Sequence, residues 1–168
     1  MKRTRVRVAL LTALLAGSCF AQSEGAKPAE AAISKYFRLD FVVKELESGK
    51  VINSRAYSTT ITTDNASSIR TGSRVPVKTG NSSGITYIDV GVSIDCIAAK
   101  EVQNELSLRV TADVSTMADE TVRPPVIRQN KWNGNVLVPL RKATTIFSSD
   151  DVTTRRQMQL ELTATPIL

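Results

Sequence analysis

The chain has 168 residues, with 22 Lys plus Arg against 16 Asp plus Glu, and no histidine. The lack of histidine removes the usual general base, the His-oriented Ser and Cys nucleophiles and the commonest zinc ligand, which closes the common routes to catalysis. Four of the basic residues and none of the acidic ones lie before Ala21, leaving 18 against 16 behind it, and so near-neutral a remainder with interspersed charges argues against a nucleic-acid surface.

Lys2, Arg3, Arg5 and Arg7 precede an apolar run over residues 8–17, and small residues follow; this pattern predicts a secretory signal peptide over residues 1–21. The apolar run falls short of the roughly 20 residues that span a bilayer as a helix. Two processing routes stay open. Cleavage after Ala21 uses Cys19 and Ala21 as the small residues of the site, whereas a lipobox-like reading of residues 15–19 makes Cys19 the lipidated first residue. After cleavage at Ala21 only Cys96 remains, so no intramolecular disulfide can form, and its place among alternating apolar residues predicts a small buried hydrophobe. Residues 22–34 are small, polar and Ala-rich and read as a flexible tether. Residues 35–168 read as one domain.

In the first strand of that domain, residues 35–47, Phe37, Leu39, Phe41 and Val43 share one face against Arg38, Asp40 and Lys44. The turn Ser48-Gly49-Lys50 joins it to residues 51–63, rich in Val, Ile, Tyr and Thr, as a hairpin. After a break at Asp64-Asn65, residues 69–78 form a short strand whose Pro76 cannot donate to a ladder, which places the strand at an edge or a bulge. Thr79 to Gly84 is a hairpin loop; a phosphate cradle would need a Lys-Ser/Thr and a following helix, and has neither. Ile88, Val90, Val92, Ile94, Cys96 and Ala98 then alternate with Asp89, Gly91, Ser93 and Asp95, the pattern of a half-buried strand.

Residues 100–103 connect to a strand with Leu106, Leu108, Val110, Ala112 and Val114 inward. Met117 to Pro125 reads as an extended exposed loop ending in two prolines, and its acidic residues Asp119 and Glu120, with Asp113, lack the spacing of a calcium loop. No metal and no cofactor is predicted. Residues 126–132 run to an expected hairpin turn at Asn133-Gly134. The next strand carries Pro139, again a mark of an edge or bulge, and after Ser148–Asp151 a last strand alternates Met158, Leu160, Leu162 and Ala164 with polar residues. The expectation is an all-β domain, a mostly antiparallel sheet or two-layer β-sandwich of about seven strands. Carboxylate chemistry gains little from this arrangement. Asp89 and Asp95 lie roughly 20 Å apart on one strand face, and the adjacent Asp150 and Asp151 point to opposite sides. Trp132, with Arg128 and Lys131, offers a cation–π or ligand patch, but a lone Trp near a turn reads better as a core cap.

An ordered series of short motifs runs through this domain: Gly72, Val75 and Pro76; Tyr87, Asp89, Val90 and Gly91; Leu108, Val110, Val114 and Ser115; Pro125 and Ile127; Thr165 and Pro166. The series resembles the C-terminal β module of bacterial secretins, the ring-forming outer-membrane channels of secretion and type IV pilus systems. Ser148–Asp151 stands where that family has a Gly-rich turn, and the chain reads as a short stand-alone derivative. The resemblance implies a non-enzymatic exported protein of the periplasm or outer membrane, self-associating or bound to a component of a secretion or pilus assembly. The competing reading is a ligand-binding or adhesive β-sandwich that uses the loops at 79–84 and 117–125; an envelope hydrolase comes third. Association is expected along residues 69–78, with Val75→Pro removing a further edge donor.

Overall fold

The computed structural model describes residues 34–63, 65–78, 84–119, 125–152 and 154–167. The expected signal peptide, Cys19 and nearly all of the tether lie outside them. Eight strands follow in order: β1 (Tyr36–Glu47), β2 (Lys50–Thr62), β3 (Ser67–Lys78), β4 (Ile85–Val102), β5 (Glu105–Asp119), β6 (Val126–Pro139), β7 (Thr144–Asp150) and β8 (Arg156–Ile167). They form two four-stranded sheets, β2-β1-β8-β7 and β3-β4-β5-β6, with every neighbouring pair antiparallel. The all-β sandwich is as expected, with eight strands instead of seven.

The apolar alternation selects the inner faces. Phe37, Leu39, Phe41 and Val43 of β1 and Leu160, Leu162 and Ala164 of β8 meet Val92, Ile94 and Cys96 of β4 and Leu106 through Val114 of β5 in a single core. A fully buried Phe or Leu contributes about 1.5–3 kcal/mol of hydrophobic stabilisation, so the β1/β8 and β4/β5 pairs carry the domain. Two-residue turns close two hairpins. Ser48 and Gly49 (φ 51° and 78°) and Gln103 and Asn104 (φ 48° and 68°) all hold positive φ, the twist that suits a right-handed ribbon.

Several local expectations give way to register. The connector at 100–103 shrinks to the two residues Gln103 and Asn104, because β4 runs on to Val102. The ladder slips between Ile97 and Lys100, where Ala98 takes φ 56°; Ala98 is therefore exposed and Ala99 buried in its place. Asn133-Gly134 is no turn. It lies mid-strand in β6, opposite Thr111 and Val110. A Cβ on Gly134 would come within 2.6 Å of the Trp132 ring, so the glycine leaves space for the indole. Trp132 packs on the core and against Phe147, ring centroids 5.8 Å apart, and is the cap that its position suggested. Met117 to Pro125 is partly strand, since β5 continues to Asp119; residues 120–124 lie outside the described set.

Cys96 is buried, as its strand face required. Burial, and secondarily the charge of Asp95, pushes its thiol up to about 12. At pH 8 only roughly one in ten thousand of such thiols is ionised. Iodoacetamide should therefore leave Cys96 unmodified in the folded protein and alkylate it in urea, as read by peptide mass mapping; equal labelling in both states would contradict its burial.

Candidate functional site

Among the described residues, two packed sheets of four strands leave four edge strands: β2 and β7 on one sheet, β3 and β6 on the other. The chain passes from one sheet to the other between β2 and β3 and again between β6 and β7, and the edges come in stacked pairs. β2 lies beside β3, where Thr59 Oγ1 and Ser67 Oγ are 2.6 Å apart, and β6 lies beside β7, where Trp132 meets Phe147. Pro76 and Pro139 both fall on edge strands, as a residue without an N–H demands.

The register fixes which backbone groups of β3 face outward. Gly91 lies opposite Gly72, and its N–H donates to Ser115 Oγ on β5, away from β3. Gly72–Gly91 is thus a non-hydrogen-bonded pair, and the alternation of an antiparallel ladder turns the amides of Gly72, Arg74 and Lys78 to the open edge. Pro76 occupies the same series, so its missing donor is an outward one. Val75 belongs to the other series, paired with Ile88, and bonds into the hairpin. The expectation that Val75→Pro strips an edge donor is therefore corrected to Arg74.

Seven of the motif residues meet on this one hairpin. Gly72 faces Gly91, Val75 faces Ile88, Pro76 faces Tyr87, Arg74 faces Asp89 and Ser73 faces Val90. Pro125 immediately precedes β6 and Ile127 pairs with Met117, while Thr165 and Pro166 lie in β8 opposite Arg38 and Phe37, at the far end of the other sheet. The structure does not bring these four to the hairpin. Three of the carboxylates singled out in the sequence, Asp89, Asp95 and Asp113, are engaged. Asp95 takes both oxygens of its carboxylate to Arg70 Nη2 (2.6 and 2.8 Å), Asp89 accepts from Arg74 Nε (3.0 Å), and Asp113 accepts from Gln129 Nε2 and pairs with Lys131. Arg74 also stands 6.0 Å from the Tyr87 ring centroid. Exposed pairs of this kind contribute about 0–1 kcal/mol each, so they orient the strands' outer face more than they stabilise it.

At Gly72 and Gly91 the sheet forks. β4 pairs with β5 only from Val92 onward, and the outer part of the β3–β4 hairpin goes on alone. A Cβ on Gly91 would come 2.2 Å from the Thr71 oxygen, and one on Gly72 would come 2.5 Å from the Val90 oxygen, so only two glycines let the strands approach this closely. Beside them lies Ser115, the one buried polar side chain among the described residues. In the sequence Ser115 closes an alternating strand and belongs to the motif series, but nothing local announces where its hydroxyl goes.

Comparison with solved structures places this fold. The GspD type II secretin of enteropathogenic Escherichia coli superposes with a TM-score of 0.51 at 11% identity, over 80% of this chain and 66% of that one. The InvG secretin-domain β-barrel of the Salmonella SPI-1 injectisome gives 0.50 at 6% identity, over 80% and 62%, and ExeD of Aeromonas hydrophila gives 0.50 at 9%, over 80% and 47%. The described domain has a secretin-like fold. No protein-family model and no curated protein matches the sequence. This secretin-like domain spans from about half to two thirds of the three chains just named.

Proposed function

We propose that this chain is a non-enzymatic exported envelope protein whose secretin-like module associates with further copies of itself or with a component of a secretion or pilus assembly. The observation that carries the reading is the arrangement of edges. Each sheet has an even number of antiparallel strands, so its two edge strands run in opposite directions. A second copy added head to tail could therefore continue both sheets at once, antiparallel at β6 against β3 and at β7 against β2. A head-to-tail contact that closes makes a ring, and a ring removes the edges that would otherwise template aggregation. InvG, a neighbour at 6% identity, is described as a secretin-domain β-barrel. The localisation to periplasm or outer membrane, and protein partners there, belong to the same reading.

Arg74 supplies the test. Arg74→Pro removes an outward amide from β3 without touching the hairpin ladder, and should weaken each contact by on the order of 1 kcal/mol, about fivefold. Arg74→Ala loses the same exposed ion pair but keeps the amide, and should associate like the wild type. Light scattering across a concentration series separates them. Equal association by the two variants would exclude β3 as a contact edge.

A further inference from the structure

We propose that the groove between β2 and the inner face of β3 and β4 binds a single-chain amphiphile with an anionic head, the head on Arg55 and the chain between the sheets. The inference concerns a ligand and does not rest on the association proposed above.

The cation comes first. Arg55 lies directly opposite Val43 in the β1–β2 ladder, and residues opposite one another share a face, so Arg55 projects to the same inward side as a core residue. Its strand position is one that a covered sheet would fill with an apolar side chain. Among the described residues no hydrogen bond or ion pair engages its guanidinium, whereas Arg38, Arg70, Arg74, Arg128 and Arg156 each meet a carboxylate. An inward guanidinium with all its donors free is suited to an anion from outside.

The space beside it is the second observation. A groove of about 380 Å³ opens there, within the range of roughly 300–1,000 Å³ usual for small-molecule sites, and no acidic side chain lines it. Tyr57, Val75, Val90, Val92 and Met117 form an apolar wall, while the hydroxyls of Thr71 and Ser73 can donate to an oxyanion. Arg55 and Val92 also line a narrow recess of about 30 Å³ that reaches Val43, Val114 and Met158. The one carboxylate at that recess, Glu45, pairs with Arg156 Nη1 at 3.5 Å.

Together these halves specify one kind of ligand. A small inorganic anion would leave the apolar wall in water, and an uncharged chain would leave the guanidinium without an anion. A recess so narrow admits the end of a methylene chain and excludes a further strand. Arg55 is itself exposed, so the head stays at the mouth and the chain runs inward.

Isothermal titration with ten-carbon amphiphiles, each kept below its micelle concentration, tests the site. Decanoate and decyl phosphate should each bind one per chain, and the tighter of the two names the head group. Decyltrimethylammonium, with the same chain and the opposite charge, should bind about tenfold more weakly, and butyrate, which lacks the chain, should not saturate. Arg55→Gln should keep the wild-type melting curve, lose about tenfold in affinity for decanoate and bind decyltrimethylammonium as before. Arg109→Gln, whose native side chain is exposed and bonded to Asn135, should bind decanoate like the wild type. A wild type that ignores decanoate, or that binds decyltrimethylammonium as tightly, would overturn the proposal, as would equal decanoate affinity in Arg55→Gln. An envelope protein held by the wild type and released by Arg55→Gln, with no amphiphile bound, would replace it by a protein contact.

Discussion

Val92→Asp should leave the domain unfolded at room temperature. Val92 is buried, with Val114 across the ladder, so a carboxylate there is taken almost wholly out of water among apolar neighbours. An unpaired buried charge costs several kcal/mol against a total stability of roughly 5–15 kcal/mol, and that total is already drawn down by the lost valine. The neighbouring residue points the other way. Ser93 lies on the outer face opposite Asp113, so the neutral Ser93→Asn is the matched control and should melt within a few degrees of wild type. Circular dichroism melts of the two variants decide it. Equal damage from both would mean that β4 is covered on both faces.

Gly91→Ala should destabilise nearly as severely, by about 1–3 kcal/mol or more, because one methyl group forces backbone apart. The atoms it would meet are the Thr71 oxygen at 2.2 Å and the Gly72 Cα at 2.4 Å, and neither can rotate away as a flexible side chain could. Gly49→Ala is the contrast. Its Cβ meets nothing within 4 Å, and only the positive φ of 78° is penalised, at roughly 1 kcal/mol. Denaturant midpoints should rank Gly91→Ala well below Gly49→Ala; the reverse order would show that the Gly72–Gly91 approach is not tight.

The two variants also mark what the amino-acid sequence discloses and what it withholds. Period-two alternation is a consequence of burial on one face, so Phe37, Leu39, Phe41, Leu106, Leu108, Val110, Leu160 and Leu162 could be assigned inward from the sequence, and each is buried. Prolines mark edges for an equally direct reason, the missing donor, and Pro76 and Pro139 lie where that predicts. Glycine is less legible because it has two uses. Gly49 serves a turn and reads as one, whereas Gly134 beside Asn133 imitates a turn while it accommodates Trp132 two residues away. Ala98 shows the limit of alternation, since a single positive φ there shifts the remaining residues of β4 to the other face. The fork was hidden for a third reason. Whether an amide points outward or into the hairpin depends on pairing register across strands, so the roles of Arg74, Val75 and Ser115 emerge only once Gly91 is placed against its neighbours.

The central claim is that the stacked open edges of this secretin-like module are contact surfaces. Multi-angle light scattering on the purified chain, followed from low to high concentration, addresses it most directly. Association through the edges predicts a mass that rises to a fixed multiple of the monomer, or a stable complex when envelope extract is added. A chain that stays monomeric at every concentration and captures no envelope partner would contradict it.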